Sequence, residues 1–357
     1  MKVLFDGFWW AGGPMANRTV QREFIDAWRE AFPEDEIAVA LRRGADDSGL
    51  RSTEVVRTRL WPHALSNRWE LPRIARRCRA DVTIAHNYAP RRGRSLVFIH
   101  DVMYEEHPEW FSLKERAYFA PMLPWARTAS VIAASTHTEA GRIRRLGKNL
   151  PQPAVTGLAA PTSLVRAGER RPPVVRDGGF ALTVGRLNVR KNLESVLRGA
   201  ARSTRITPTS PLYVVGSSAH SGVGMTLPEE ARRLLDSGAV VFLGGVEDAE
   251  LAWLYRRAEL TISLSLDEGF GMPAVEAAVF GSPLLVSDIP VYRETVGDIA
   301  AFIDPGTSPE PLGAAIDAAW GHRPAQTAVD GIRERFSWQA AVRTMREALS
   351  ADPVGAA

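Results

Sequence analysis

Short apolar runs recur along the chain, separated by stretches whose apolar residues repeat at helical spacing. Ten of these runs predict buried strands: Lys2–Asp6, Ile37–Leu41, Asp81–His86, Ser95–His100 and Ala129–Ala134, then Ala181–Gly185, Leu212–Gly216, Val240–Leu243, Leu260–Leu264 and Pro283–Ser287. Continuous apolar runs suit strands covered on both faces, and strands alternating with helices build parallel sheets. From Ala160 to Gly179 the chain is rich in Pro, Gly and charge and the alternation breaks, as at a linker. The pattern therefore predicts an α/β protein of two doubly wound, Rossmann-like domains facing an interdomain cleft. Their expected limits are residues 1–162 and 180–335, with a linker over 163–179 and a terminal helix and tail over 336–357. The last residues, from Ala351, are expected to fray.

The most informative segment lies between the last two predicted strands. Pro273 to Phe280 reads as a short helix, because Pro is tolerated in a first turn and Gly281 supplies a stop. The unit is thus strand, glycine turn, helix, strand. Ligands of open parallel sheets sit beyond the carboxyl ends of the strands, where a helix N-terminus offers unpaired N–H groups to an anion. Gly269 and Gly271 permit close approach to the backbone, while Glu268 on the turn and Glu276 one helical turn inside can face one ligand at different depths. Glu276 stands in the apolar stretch Ala274–Phe280, an unusual place for a carboxylate facing water.

A second strand-turn-helix unit, Phe180–Glu194, carries Gly185, Arg186 and Lys191. Arginine can engage phosphate oxygens as a fork and lysine as a point charge, so the pair suits a diphosphate. In the first half, Gly12-Gly13 follows the first strand and precedes an amphipathic helix, which allows backbone N–H groups to approach a ligand. His100 and Asp101 end a strand, and Thr136 to Glu139 has the spacing of a capping box.

Composition narrows the class. With 45% hydrophobic and 24% charged residues over 357 positions, the chain is an ordinary globular protein long enough for two cores. No apolar run approaches the ~20 residues that span a bilayer, and Asp6 interrupts the apolar start, so a strand is expected there rather than a signal peptide. The single Cys78 excludes an internal disulfide and fits a reducing, cytoplasmic setting. Residues 1–160 hold 24 Lys and Arg against 18 Asp and Glu, whereas the remainder holds 20 against 23. Arginine clusters at 73–79, 91–94 and 142–145 give the first half a basic face, suited to an anionic membrane surface or a phosphate-bearing acceptor, or simply solvated. No nucleic-acid motif is present.

Val184–Leu193, together with Glu268 and Glu276 eight positions apart, resembles the retaining family-4 type of glycosyltransferase (glycosyl transferases group 1), which has the GT-B fold. The resemblance implies transfer of a hexose from a nucleotide-diphosphate sugar to a hydroxyl of a glycan or lipid-linked acceptor, without metal or other cofactor. It implies that Arg186 and Lys191 hold the diphosphate and that Glu276 takes the ribose. It further implies that Glu268, with Gly269, Phe270, Gly271 and Met272, holds the donor sugar, and that backbone near Val246 meets the base. Gly12 and Gly13 would approach the donor phosphate, and His100 the donor sugar near the reacting carbon. The His100–Trp110 stretch resembles bacterial polysaccharide mannosyltransferases, which makes GDP-mannose the first expectation for the donor. A nucleotide-sugar epimerase of the same fold, or a non-catalytic sugar-nucleotide-binding subunit, are the competing readings.

Overall fold

The computed structural model describes residues 1–50, 53–216 and 229–351, so the tail expected to fray lies, after Ala351, outside the described residues. All ten predicted strands are present: β1 Lys2–Asp6, β2 Glu36–Arg42, β4 Val82–His86, β5 Ser95–Ile99, β6 Val131–Ala134, β8 Ala181–Val184, β9 Leu212–Val215, β10 Val240–Gly244, β11 Leu260–Ser263 and β12 Leu284–Ser287. Three more were not anticipated, β3 Glu54–Thr58, β7 Ala154–Val155 and β13 Ala301–Ile303. The first sheet runs β3-β2-β1-β4-β5-β6-β7 and the second β10-β9-β8-β11-β12-β13, with every pairing parallel. All three unanticipated strands are therefore edge strands. An edge strand needs only one partner, so a short segment such as β7 or a partly charged one such as β3 serves there and leaves no apolar run to read, whereas β13 lies in the apolar run Ile299–Ile303.

The chain divides into two compact units. One comprises Met1–Pro108, Leu113–Leu158 and the segment from Phe336 onward, and the other Glu109–Ser112 and Ala159–Arg335. The stretch 163–179, expected to be a linker, is instead packed onto the second unit. Leu164 and Val175 are buried, the Arg170 N–H donates to the Ala249 carbonyl, and Arg171 lies over the Trp253 ring at 5.8 Å. Its Pro and Gly content reflects an irregular path, not freedom.

In each sheet the strand order reverses once in the interior, between β1 and β4 in the first and between β8 and β11 in the second. Beyond the carboxyl ends of such strand pairs a crevice opens, because successive connections leave toward opposite faces. In the second unit the sheet is packed by Leu193, Val196 and Leu197 on one helix and Leu312 and Ile316 on another, which fixes the strand ends that carry the polar residues.

The terminal helix Trp338–Ala351 belongs to the first unit, where it packs along the helix Met15–Ala31. The Trp338 ring meets Phe24 edge-on at 5.6 Å, Gln339 donates to Glu30 at 3.0 Å, and Arg346 pairs with Asp35 while lying over Phe32. Trp338→Ala should therefore destabilise the first unit by about 3–5 kcal/mol, the usual cost of emptying a buried aromatic site. Urea unfolding followed by circular dichroism measures it, and an unchanged midpoint would show that the helix does not brace this unit.

Candidate functional site

The second unit gathers its functional side chains at the β8/β11 reversal. Beyond β8 the backbone turns through Gly185, φ +154°, into a 3-10 turn Val189–Lys191 capped by Asn188, whose side-chain oxygen accepts from the Lys191 N–H at 3.1 Å. The neighbouring strand end also has to be glycine. A Cβ on Gly216 would fall 1.8 Å from the Gly185 carbonyl oxygen. Across the reversal, the Leu266 N–H donates to the Arg190 carbonyl at 2.8 Å, which ties the turn after β8 to the loop after β11.

That loop holds Glu268, only 5% exposed. One carboxylate oxygen receives Lys191 Nζ at 2.5 Å and the Ser265 hydroxyl at 2.7 Å, and the other receives Arg190 Nη1 at 2.6 Å. Burial by itself pushes the carboxyl up, but the two cations and these hydrogen bonds outweigh it and hold Glu268 down to about 2. The group is an ion-paired carboxylate over the whole physiological range. Burial pulls the Lys191 ammonium down, with Glu268 opposing, and we read the pair as charged because both partners are hydrogen-bonded.

Gly271, φ +82°, caps the helix Met272–Val279 in a left-handed conformation, and a side chain there would strike the Tyr292 ring at 2.5 Å. Tyr292 in turn shares its hydroxyl with Ser263 and Ser265, so the glycine turn and the serine supporting Glu268 are braced by one phenol. Within the helix, Glu276 is 8% exposed and accepts the Tyr255 hydroxyl at 2.9 Å. Burial raises its carboxyl to about 7, with Tyr255 and Lys191 moderating the rise. Two carboxylates in one unit therefore differ in charge behaviour, one locked as an anion and one titrating near neutrality.

The structure thus brings Lys191 and Glu268 into direct contact, with Gly269, Phe270 and Gly271 buried beside them and Met272 opening the helix. Glu276 adjoins through the charge of Lys191. Arg186 is half-buried, and burial followed by the charge of Arg190 lowers its guanidinium. It lines a small pocket with Gly185, Lys191, Ser263 and Ser265. The cation that joins Lys191 on Glu268 is Arg190, which sequence reading passed over although it stands next in line. Val246 sits before the helix Asp248–Arg257, opened by a Glu247–Glu250 capping box; that helix reaches Glu276 through Tyr255 rather than through Val246.

Gly12, Gly13 and His100 lie in the first unit. Gly13, φ +95°, has no room for a side chain against the Trp9 ring. His100 follows β5, its Nε2 3.2 Å from His86 Nδ1 with the rings stacked at 5.3 Å. Burial lowers His86 to about 4 and His100 well below the ordinary imidazole value, so both are neutral and one donates to the other. At the β1/β4 reversal Asp6 is buried beneath them, with one oxygen receiving His63 Nε2 at 2.7 Å, Asn67 at 2.9 Å and the His86 N–H at 3.2 Å. Burial opposes ionisation of Asp6, yet His63, His86 and Asn67 keep its carboxyl well below the usual range. Asp6 and His86 carried a signal in the sequence, each a polar residue ending an apolar strand, whereas His63 and Asn67 carried none.

Half of the expected capping box is present. Thr136 accepts the Glu139 N–H at 3.0 Å, but the Glu139 carboxylate, instead of closing the box, accepts the Val102 N–H at 2.7 Å and pairs with Arg142 three positions along the same helix. Glu139 therefore secures the loop that follows His100, a role that a capping pattern conceals.

Residues 169–329 match the family model described as glycosyl transferases group 1. An O-antigen chain mannosyltransferase B of Escherichia coli is 27% identical over 61% of this chain and 59% of its own length. A D-inositol 3-phosphate glycosyltransferase of Geodermatophilus obscurus is 30% identical over 52% of this chain and 43% of its own. The match spans about half the length of these relatives. Among solved structures, Anabaena HepE in complex with UDP and glucose aligns over 98% of this chain and 100% of its own with a TM-score of 0.69 at 18% identity. Sucrose-phosphate synthase from Thermosynechococcus elongatus aligns over 97% and 98% with a TM-score of 0.67 at 16% identity. The chain has the GT-B fold, and the glycosyl transferases group 1 match falls within its second unit.

The raised Glu276 carboxyl links stability to pH. Its folded value of about 7 exceeds the ordinary 4.5, so between these values the native state keeps a proton that the unfolded chain releases. Stability falls as pH rises through that window and levels off above it, by about 3 kcal/mol at most. Denaturant titrations from pH 5 to pH 8 should show Glu276→Gln gaining on the parent protein as pH rises. A pH-independent difference would remove the assignment.

Proposed function

We propose that the chain is a retaining hexosyltransferase that moves a sugar from a nucleotide-diphosphate donor to an acceptor hydroxyl. The observation that carries this is the Glu268 carboxylate held between Arg190 and Lys191 beside the Gly271-capped helix, inside the region that matches the group 1 family. Chemically the arrangement is an anion site kept closed by an internal anion. An arriving diphosphate offers Lys191 and Arg190 a competing partner, and the positive end of the Met272–Val279 helix adds favourable charge. As the bond to the sugar breaks, negative charge grows on the leaving diphosphate, and preorganised cations stabilise that growth without reorganisation. We assign this work to Lys191, Arg190 and Arg186, so that no metal is required.

Glu276 adjoins a phenol and a charged lysine, and we give it the ribose hydroxyls, which it accepts best as a carboxylate. Glu268 is poorly suited to attack carbon, since both of its oxygens are held by donors. That supports departure on the front face, with the leaving phosphate taking the acceptor proton. His100, neutral and partnered by His86, serves as a hydrogen-bonding group toward the donor sugar. GDP-mannose is the first donor to test, because two of the relatives are named as O-antigen mannosyltransferases. A glycan or lipid-linked acceptor, reached at the cytoplasmic face of a membrane through the basic first half, completes the reading; no helix of the described residues is long and apolar enough to cross a membrane.

A thermal-shift panel of GDP, UDP, ADP and dTDP with their sugar conjugates tests the donor, since a ligand that binds only the folded state raises its stability. Selective stabilisation by GDP and GDP-mannose is expected, whereas silence toward every nucleotide at high concentration would sink the transferase reading. Lys191→Ala should raise the transition-state barrier by about 2–4 kcal/mol, read as kcat/KM on the stabilising donor with the folded fraction checked separately. Nucleotide affinity should strengthen as pH rises through about 7 in the parent protein and lose that dependence in Glu276→Gln.

A further inference from the structure

The carboxyl ends of β1, β2 and β3, three adjacent strands of the first sheet, converge on an aromatic cluster that the donor chemistry does not use. Phe8 follows β1, Arg42 ends β2, and Trp61 follows β3. Trp61 is 64% exposed, and its ring stacks on the buried Phe8 at 5.4 Å. Phe8 also stacks on His63 at 4.6 Å, and His63 is fixed by Asp6 at 2.7 Å. The outermost indole is thus held by a chain of contacts ending on a buried carboxylate, which makes it a rigid face rather than a loose surface residue.

Arg42 lies against the same rings. Its guanidinium carbon is 5.2 Å from the Phe8 centroid, 5.8 Å from Trp61 and 6.0 Å from Trp9. Its Nη2 lies 3.2 Å from where a Cβ on Gly12 would stand, so a side chain at that turn would crowd it. Its Nε is buried with no hydrogen-bond partner, and no described residue forms an ion pair with it. A guanidinium sandwiched among rings and given no carboxylate has lost part of its hydration while keeping its planar fork of donors. Such a group is costly alone and rewards an anion that completes it. Beside it stands an exposed indole face of the kind that accepts the apolar face of a sugar ring.

From this juxtaposition of Arg42, Trp61 and the Gly12–Gly13 turn we infer that the first unit binds an anionic saccharide, one bearing a phosphate, as the acceptor of the transfer. The sugar ring stacks on Trp61 and the phosphate takes the Arg42 fork. The inference rests on the transferase reading for the word acceptor, while the binding itself is measured independently of turnover.

The test is a ligand-observed NMR titration of the full chain with glucose 6-phosphate and with uncharged methyl glucoside, using inorganic phosphate as competitor. The phosphorylated sugar should bind at least about tenfold more tightly, the scale of a charge-assisted contact. Arg42→Gln should erase that advantage, and Trp61→Ala, a change at an exposed position, should weaken both sugars. Both variants should keep the nucleotide-induced thermal shift of the parent protein, so that loss here is distinguishable from failure of the donor site. Equal affinity for the two sugars, or a charge preference that survives Arg42→Gln, would overturn the inference. Inorganic phosphate competing as tightly as the sugar phosphate would overturn its saccharide half. Sedimentation with neutral vesicles carrying a polyprenyl-phosphate-linked glucose, compared with plain vesicles, separates the sources. Arg42-dependent sedimentation assigns the lipid-linked form, and its absence assigns the soluble one.

Discussion

The second unit depends on one buried ion triad, the Glu268 carboxylate between Arg190 and Lys191. Removing three charges from water is expensive, and their mutual attraction repays the cost only when geometry is close and the remaining lone pairs are filled. Both conditions hold, because Ser265 supplies an additional donor and Arg190 also reaches the Asp267 carbonyl. The triad spans the strand reversal and so fixes the turn after β8 against the loop after β11. It also concentrates two cations where a diphosphate would need them. A structural device and a binding device are therefore the same atoms, and the buried charge is tolerated because a ligand can exchange with the internal anion.

The first unit uses the same location differently. At its own strand reversal Asp6 is buried among His63, Asn67 and the His86 N–H, with an imidazole, an amide and a backbone N–H as donors where Glu268 has a lysine and an arginine. Its effect is positional: His63 supports Phe8 and through it Trp61, while His86 orients His100. One carboxylate thus organises both an aromatic face and a pair of stacked imidazoles. The polar network is not fully satisfied, since His63 Nδ1, Asn67 Oδ1 and His86 Nε2 are buried with no partner among the described residues. Buried polar atoms of this sort carry an energetic cost, and they occur here at the carboxyl edge where ligands of parallel sheets bind.

Most of the fold was legible because interior parallel strands are largely apolar on both faces, and a continuous run such as Leu96–Ile99 fits little besides a strand covered from both sides. Two of the edge strands were not legible, since Glu54–Thr58 carries Glu54 and Arg57 and Ala154–Val155 is too short to form a pattern, while β13 lay in a readable run, Ile299–Ile303. The 163–179 stretch misled for a related reason: Pro and Gly report an irregular backbone, and nothing in composition says whether that backbone is packed. The site was legible where chemistry is local. Gly271, Pro273 and Glu276 follow from turn and helix rules. Arg190 was overlooked because Arg186 and Arg190 look alike in sequence, and only the direction of the 3-10 turn selects the one that reaches Glu268.

The sequence alone determined the α/β class, ten of the strands, the glycine turn before Met272, and the presence of two carboxylates on one strand-turn-helix unit. These are consequences of periodicity and backbone sterics, which act over a few residues. Tertiary structure decided which partner each charge received. It put Lys191 on Glu268 across 77 positions and Tyr255 on Glu276 across 21, and it left Arg42 among rings with no carboxylate partner among the described residues. Protonation followed from that placement, with Glu268 held down to about 2 and Glu276 lifted to about 7. The two glutamates are the same residue type eight positions apart, and neighbours brought from distant parts of the chain, not the local sequence, set their charge.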